Sequence, residues 1–208
     1  MTVVTNPSLR RRKPESAYHH GDLRRCLVAA GFDLLEKHGA ASLSLRQVAQ
    51  SAGVSPAAPY AHFADKTALL AAIAAEGFVA FKAALEAGKA KTPAARLEAM
   101  ALAYVSFARR HPALFRLMFG PELADLSPHP ELREKAVASF AVLQEAIAAS
   151  QGRASDREAV MTAAWSFVHG LAVLMLDGRI AQGADEREAA RRVKEAARRI
   201  SRGLHRPT

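Results

Sequence analysis

Residues 52–63 read AGVSPAAPYAHF, and their chemistry is unusual for a helical chain. Tyr60 and His62 carry hydrogen-bond donors suited to anionic oxygens, and they follow Pro56 and Pro59 bracketing Ala57 and Ala58. A buried strand would not tolerate the prolines, and a plain amphipathic helix would not want them. The pattern fits a tight turn feeding a very short helix whose outer face meets something other than water. A second constellation is WSFVHG, where Trp165 and His169 stand four apart on one helix face and Gly170 permits a close helix approach or a kink. Enzyme chemistry finds little here: there is no phosphate-binding glycine loop and no paired-cysteine metal site. His19 and His20 are adjacent and point apart, a poor chelate. Cys26 reads as inert core on the apolar stripe of its helix. Neither enzymatic activity nor a bound cofactor or metal is expected.

The composition narrows the partner. Among 208 residues, 29 Lys and Arg face 20 Asp and Glu, a net charge of +9 that suits a polyanion such as nucleic acid or a membrane surface. Half the residues are apolar, enough for a core. One cysteine excludes an intrachain disulfide and fits a reducing compartment. The apolar runs are read as falling short of the roughly 18 uncharged residues of a membrane span, and the basic start lacks the apolar stretch of a secretory leader. A cytoplasmic protein with no membrane partner is expected.

The elements that position these residues are helical. Residues 1–18 form a basic arm containing Arg10, Arg11, Arg12 and Lys13. Asp22 is read as the cap of a first helix, with Leu23, Cys26, Leu27, Ala30, Leu34 and Leu35 at helical spacing up to Gly39. Ser44 and Gln47 form a capping box for a short second helix that stops at Gly53. Ser55 is read as the next cap with Pro56 at the first position, and Pro59 should leave that helix short and irregular. Asp65 caps a long helix to about Gly88. Helices then run from Thr92-Pro93 to about His111, over HPALFRLMFG, from about Pro130 to Ser150, from about Arg157 to Ala181, and from Asp185 to about Arg202. No stretch alternates with period two, so the expected class is all-α.

Short helix, glycine turn, short helix in a basic chain is the helix-turn-helix pattern. Gly53 supplies positive φ, Val54 packs inward, Ala57 and Ala58 allow close backbone approach to thymine methyls, and Tyr60 and His62 reach phosphates. Phe63 reads as core.

The stretch LSLRQVAQSAGVSPAAPYAHFADKTALLAAI resembles the N-terminal domain of the TetR family of bacterial transcriptional regulators, over about residues 22–73. The resemblance implies phosphate contacts from Ser44, Tyr60, His62 and Lys66, and a major-groove face at Ser55, Pro56, Ala57 and Ala58. Pro59 stands where the family usually has an aliphatic residue. Because few polar side chains remain for base readout, Arg46, the arm and DNA shape are expected to contribute specificity. By analogy with basic arms, Arg10–Lys13 would enter the minor groove.

The same resemblance divides the chain into the arm, a helix-turn-helix domain over 19–66, and a ligand-binding and dimerisation domain over 67–208. It implies a double-stranded DNA operator, a small apolar effector, and a homodimer through the last two helices, acting as a repressor. A DNA-binding regulator or architectural protein without an effector is the alternative. Candidate pocket residues are Phe107, Phe115, Met118, Phe119, Phe140, Trp165 and His169, an apolar set with one polar ring. WSFVHG resembles the Trp-His-Gly branch of the family; His169 either bonds a ligand or is satisfied by a neighbouring helix. Val160, Ala164, Leu171, Leu174, Val193, Ala197 and Ile200 supply the expected dimer seams. Arg191, Arg192, Arg198, Arg199 and Arg202 read as a solvated helix face.

Overall fold

Apolar residues at helical spacing, punctuated by Ser, Asp and Thr caps, build this chain. The computed structural model describes residues 20–88, 90–150, 157–180, 183 and 185–204. Among them lie eight α-helices, two short 3₁₀ turns and no strand. They are α1 His20–Ser42, α2 Leu45–Ser51, α3 Lys66–Glu86, α4 Pro93–Arg110, α5 Pro112–Phe119, α6 Pro130–Ser150, α7 Arg157–Leu176 and α8 Glu186–Leu204. The 3₁₀ turns span Ala58–Ala61 and Pro121–Leu123, the second in the proline-rich stretch PELADLSPHP between two of the expected helices.

Three caps act as the sequence predicts. The Ser44 hydroxyl accepts from the Gln47 N–H, Asp65 from the Ala68 N–H, and Thr92 from the Ala95 N–H. Gly39 breaks α1 at φ 77°, a left-handed value that favours glycine. Other expectations need correction. The first helix begins at His20, so Asp22 lies inside it rather than at its cap. Cys26 is exposed, because the buried line of α1 is the four-residue ladder Leu27, Gly31 and Leu35, and Cys26 sits about 100° away from it. The seventh helix ends at Leu176, and Gly178 at φ 65° turns the chain there.

Helix α3 joins the two ends of the molecule. Its first turns bury Leu69, Leu70 and Ile73 against α1, and its later turns bury Phe78, Phe81 and Leu85 among α4, α5 and α6. Gly77 lets α5 lie close: a Cβ there would stand 2.8 Å from the Met118 sulfur and 2.9 Å from Leu114 Cδ1.

The expectation about apolar runs also fails. Residues 159–176 hold no Asp, Glu, Lys or Arg, and both α3 and α7 are long and apolar enough to cross a membrane by length and composition. They differ in burial. Of the most apolar window, 61% is buried in α3 but only 17% in α7, whose Leu174 is 45% exposed. Among the expected seam residues, Val193 is fully buried within the subunit, where α8 packs on α4, and Val160 and Ala164 line a cavity. Leu171 is half-buried, and the side chains of Ala197 and Ile200 lie outside the described residues.

Candidate functional site

The first site is the surface made by α2 and the segment after it. The second helix closes with Gly53 at φ 69°, where the Gly53 N–H donates to the Gln50 carbonyl at 3.2 Å and the Val54 N–H to the Ala49 carbonyl at 3.0 Å. These two bonds form a Schellman motif, which explains why glycine must occupy position 53. Val54 packs against the core as expected.

Ser55 does not act as a helix cap. An α-helix beyond it would need the residue-59 N–H to reach the Ser55 carbonyl, and Pro59 has none. The Ala58 N–H takes that carbonyl instead at 3.0 Å, and the Tyr60 N–H bonds the Ala57 carbonyl at 3.2 Å. The result is a 3₁₀ turn with Ala57 at its N-cap. Pro59 is among the most buried side chains, and its carbonyl receives the His62 and Phe63 N–H groups, both at 2.9 Å. Proline thus anchors the turn to the core in the place of an aliphatic residue.

This anchoring leaves Ser55, Pro56 and Ala57 exposed, Ala58 half-buried and Tyr60 60% exposed. Arg46 points outward from α2. His62 is half-buried beside Phe63, which is core as expected and carries the Arg24 guanidinium 5.6 Å from its ring centroid. The Ser44 hydroxyl donates to Gln47 Oε1 at 2.7 Å, so the pair closes side chain to side chain. Lys66 Nζ donates to the Ala41 carbonyl at 2.9 Å, tying the start of α3 to the end of α1. Arg10, Arg11, Arg12 and Lys13 lie outside the described residues.

The second site is a cavity of about 600 Å³ lined by α3 to α7 and open to solvent past Val137 and Gln144. Met118, Phe119, Phe140 and Trp165 line it, as the sequence suggested. Phe107, Phe115 and His169 do not; the two phenylalanines are buried core, Phe107 edge-on to Phe81 at 5.1 Å and Phe115 stacked on His169 at 5.5 Å. The two sit on the sides of α4 and α5 turned from the cavity. His169 Nδ1 lies 2.8 Å from the Tyr104 hydroxyl, so of the two sequence readings the structure has the histidine satisfied by a neighbouring helix. Burial pushes the Tyr104 hydroxyl well above its ordinary pKa, opposed by a side-chain hydrogen bond from Trp165. Burial also lowers the His169 pKa.

Sequence reasoning missed several lining residues. Phe78 and Phe81 on α3 face the cavity, as does Ser139 on α6, while Tyr104 on α4, an aromatic residue of the type expected for a pocket, lines it too. Aromatic residues three apart on a linking helix were the available signal for the first two. Glu36 was missed as well. From α1 its carboxylate accepts from the Leu114 N–H at 3.0 Å and the Ala113 N–H at 3.4 Å, capping α5 from another element.

Comparisons with known proteins agree with this geometry. Residues 27–73 match the family described as bacterial regulatory proteins of the tetR family, and residues 97–197 match a tetracyclin repressor-like C-terminal domain. No curated protein matches the sequence. Among solved structures, a protein of unknown function from Rhodococcus sp. RHA1 is 38% identical, over 89% of this chain and 98% of that one, with a TM-score of 0.75. A bacterial regulatory protein in the tetR family from Rhodococcus RHA1 is 26% identical, over 84% and 95%, with a TM-score of 0.63. A TetR variant from Acinetobacter baumannii AYE in complex with minocycline shares the fold at 17% identity, over 87% and 97%, with a TM-score of 0.61. A Schellman-closed helix-turn-helix on an all-α body, matched in both halves, places the chain in the TetR family of transcriptional regulators.

Proposed function

We propose that the chain is a homodimeric repressor released from its operator by a small apolar effector. One observation carries the reading. Helix α5 lines the effector cavity at its C-terminal end through Met118 and Phe119, while Glu36 of the reading head holds its N-terminal end. A ligand that displaces Phe119 pushes one end of a rigid eight-residue helix whose other end is fastened to α1. DNA and effector then oppose each other by a single reciprocal factor. A neighbour of the same fold is in complex with minocycline, which is in keeping with a small-molecule effector.

On the DNA side, Ser55, Pro56, Ala57 and Ala58 meet the major groove, and Ser44, Tyr60, His62 and Lys66 meet phosphates. Lys66 would exchange its Ala41 carbonyl for a phosphate oxygen. Arg46 and the basic arm add contacts outside that short turn. Two such heads, about 34–36 Å apart, read successive grooves. The dimer forms through the last two helices, chiefly through the apolar α7 face that the subunit leaves uncovered. Ala163, Ser166 and Leu174 are exposed there, and a Cβ on Gly170 would meet nothing within 4 Å.

A footprint on the DNA flanking the gene, repeated with candidate apolar compounds, tests the proposal. Loss of protection on adding a compound is the expected result. Protection that no compound alters would instead favour a regulator without an effector.

A further inference from the structure

We propose that the cavity selects an uncharged ligand bearing a hydroxyl group, and that Tyr104, with its proton committed to His169, is the acceptor that reads it. This rests on the reading of the cavity as the effector site.

The selection against charge follows from the wall. None of the described residues lining the cavity is Asp, Glu, Lys, Arg or His. Its polar side chains are Tyr104, Ser139, Gln144 and Trp165. Ser139 is buried and spends its proton on the Ala136 carbonyl at 2.8 Å, and Gln144 is exposed at the rim. A carboxylate or ammonium entering this space would lose its water without gaining a counter-charge. A 600 Å³ cavity lies within the range that holds drug-sized molecules.

The choice of hydroxyl follows from counting protons on the Tyr104 oxygen. Trp165 on the same cavity wall carries an indole N–H, and indole nitrogen only donates, so it can take no proton from Tyr104. Were His169 also to donate from Nδ1, the tyrosine proton would be left buried without an acceptor, a costly arrangement. The consistent solution has the Tyr104 O–H donating to Nδ1 across the 2.8 Å contact. The tyrosine oxygen is then left as an acceptor, which a ligand donor can use. Trp165 and His169 are therefore positioning residues that orient the hydroxyl from α7, which gives their four-residue spacing a purpose.

Trp165 is the chain's single tryptophan and lines the cavity, so its fluorescence reports occupancy without DNA. Full-length protein is titrated at pH 8 with cyclododecanol, cyclododecanone and cyclododecanecarboxylate. The alcohol should bind most tightly and the carboxylate at least about a hundredfold more weakly. Tyr104→Phe should cut the preference of alcohol over ketone by up to about tenfold while both neutral probes still bind, a built-in check of folding. His169→Leu frees the tyrosine proton and should turn the preference toward the ketone, a change that a purely structural role would not produce. Equal binding of the carboxylate, no response to any probe, or an unchanged alcohol-to-ketone ratio in Tyr104→Phe would overturn the inference. Alcohol binding that fails to release DNA would instead sink the repressor reading and leave this one standing.

Discussion

Replacing Glu36 by Ala should weaken both the fold and its response to effector, by amounts the structure sets. Helix α5 has few ways to satisfy its first N–H groups: its N-cap, His111, makes no side-chain cap, and Pro112 has no N–H. The Ala113 and Leu114 donors both go to the Glu36 carboxylate. Loss of a cap costs about 0.5–2 kcal/mol, and loss of a negative charge at a helix N-terminus about 0.3–1 kcal/mol more. Thermal unfolding should therefore fall by about 2–4 °C for each kcal/mol of destabilisation in a chain of this size. Glu36→Gln keeps one acceptor oxygen and should lose roughly half as much. The functional readout is sharper. Allosteric coupling is typically about 1–3 kcal/mol, or roughly 5–150-fold in DNA affinity. If the cap transmits it, Glu36→Ala should bring the effector-induced change in DNA affinity, read by fluorescence anisotropy, toward unity. Effector binding read at Trp165 should change much less. An unchanged melting temperature together with unchanged induction would refute the reasoning.

Tyr60→Ala should leave the melting temperature in place, since the side chain is largely exposed, and weaken DNA binding by about 0.5–1.5 kcal/mol with the salt slope unchanged, because a neutral hydroxyl releases no counterion. Unaltered affinity would remove Tyr60 from the DNA face. Leu174→Glu places a charge on the uncovered face of α7 and should give a monomer by sedimentation, with DNA affinity falling accordingly; a dimer of normal strength would move the interface elsewhere. Gly77→Val forces a side chain against Met118 and Leu114 and should cost about 1–3 kcal/mol in urea unfolding, which an unchanged midpoint would contradict. Burial lowers the His169 pKa below 6.5, so the unfolded chain takes up this proton first as pH falls. Its contribution is full above pH 6.5 and disappears as pH drops through the lower folded value, so the urea midpoint should be lower at pH 5.5 than at 7.5. His169→Gln should shrink that difference, and no change would exclude this group.

Much of the reading head was legible in the sequence because its signals are local. Ser44, Asp65 and Thr92 bond N–H groups three residues on, and Gly53 closes a motif spanning six residues; such contacts depend on little beyond the neighbouring chain. Pro59 announces a disturbance by its type, but the swap from capped α-helix to 3₁₀ turn depended on which donor took the Ser55 carbonyl. The cavity was half legible. Residue type marked Met118, Phe119, Phe140 and Trp165, yet Phe107 and Phe115 are of the same type and serve as core.

The sequence by itself determined the order of the helices, the caps at Ser44, Asp65 and Thr92, the basic charge and the glycine turn that makes a reading head. Tertiary packing alone decided which aromatic rings face the cavity, that Val193 is covered within its own subunit, and that α7 is left bare. It alone brought His169 to Tyr104 across 65 positions and Glu36 to Leu114 across 78. The reason is that helical periodicity fixes which side of a helix is apolar but not the neighbour it meets. That pairing depends on crossing angles and close approaches such as Gly77 against α5, which exist only once the helices are packed.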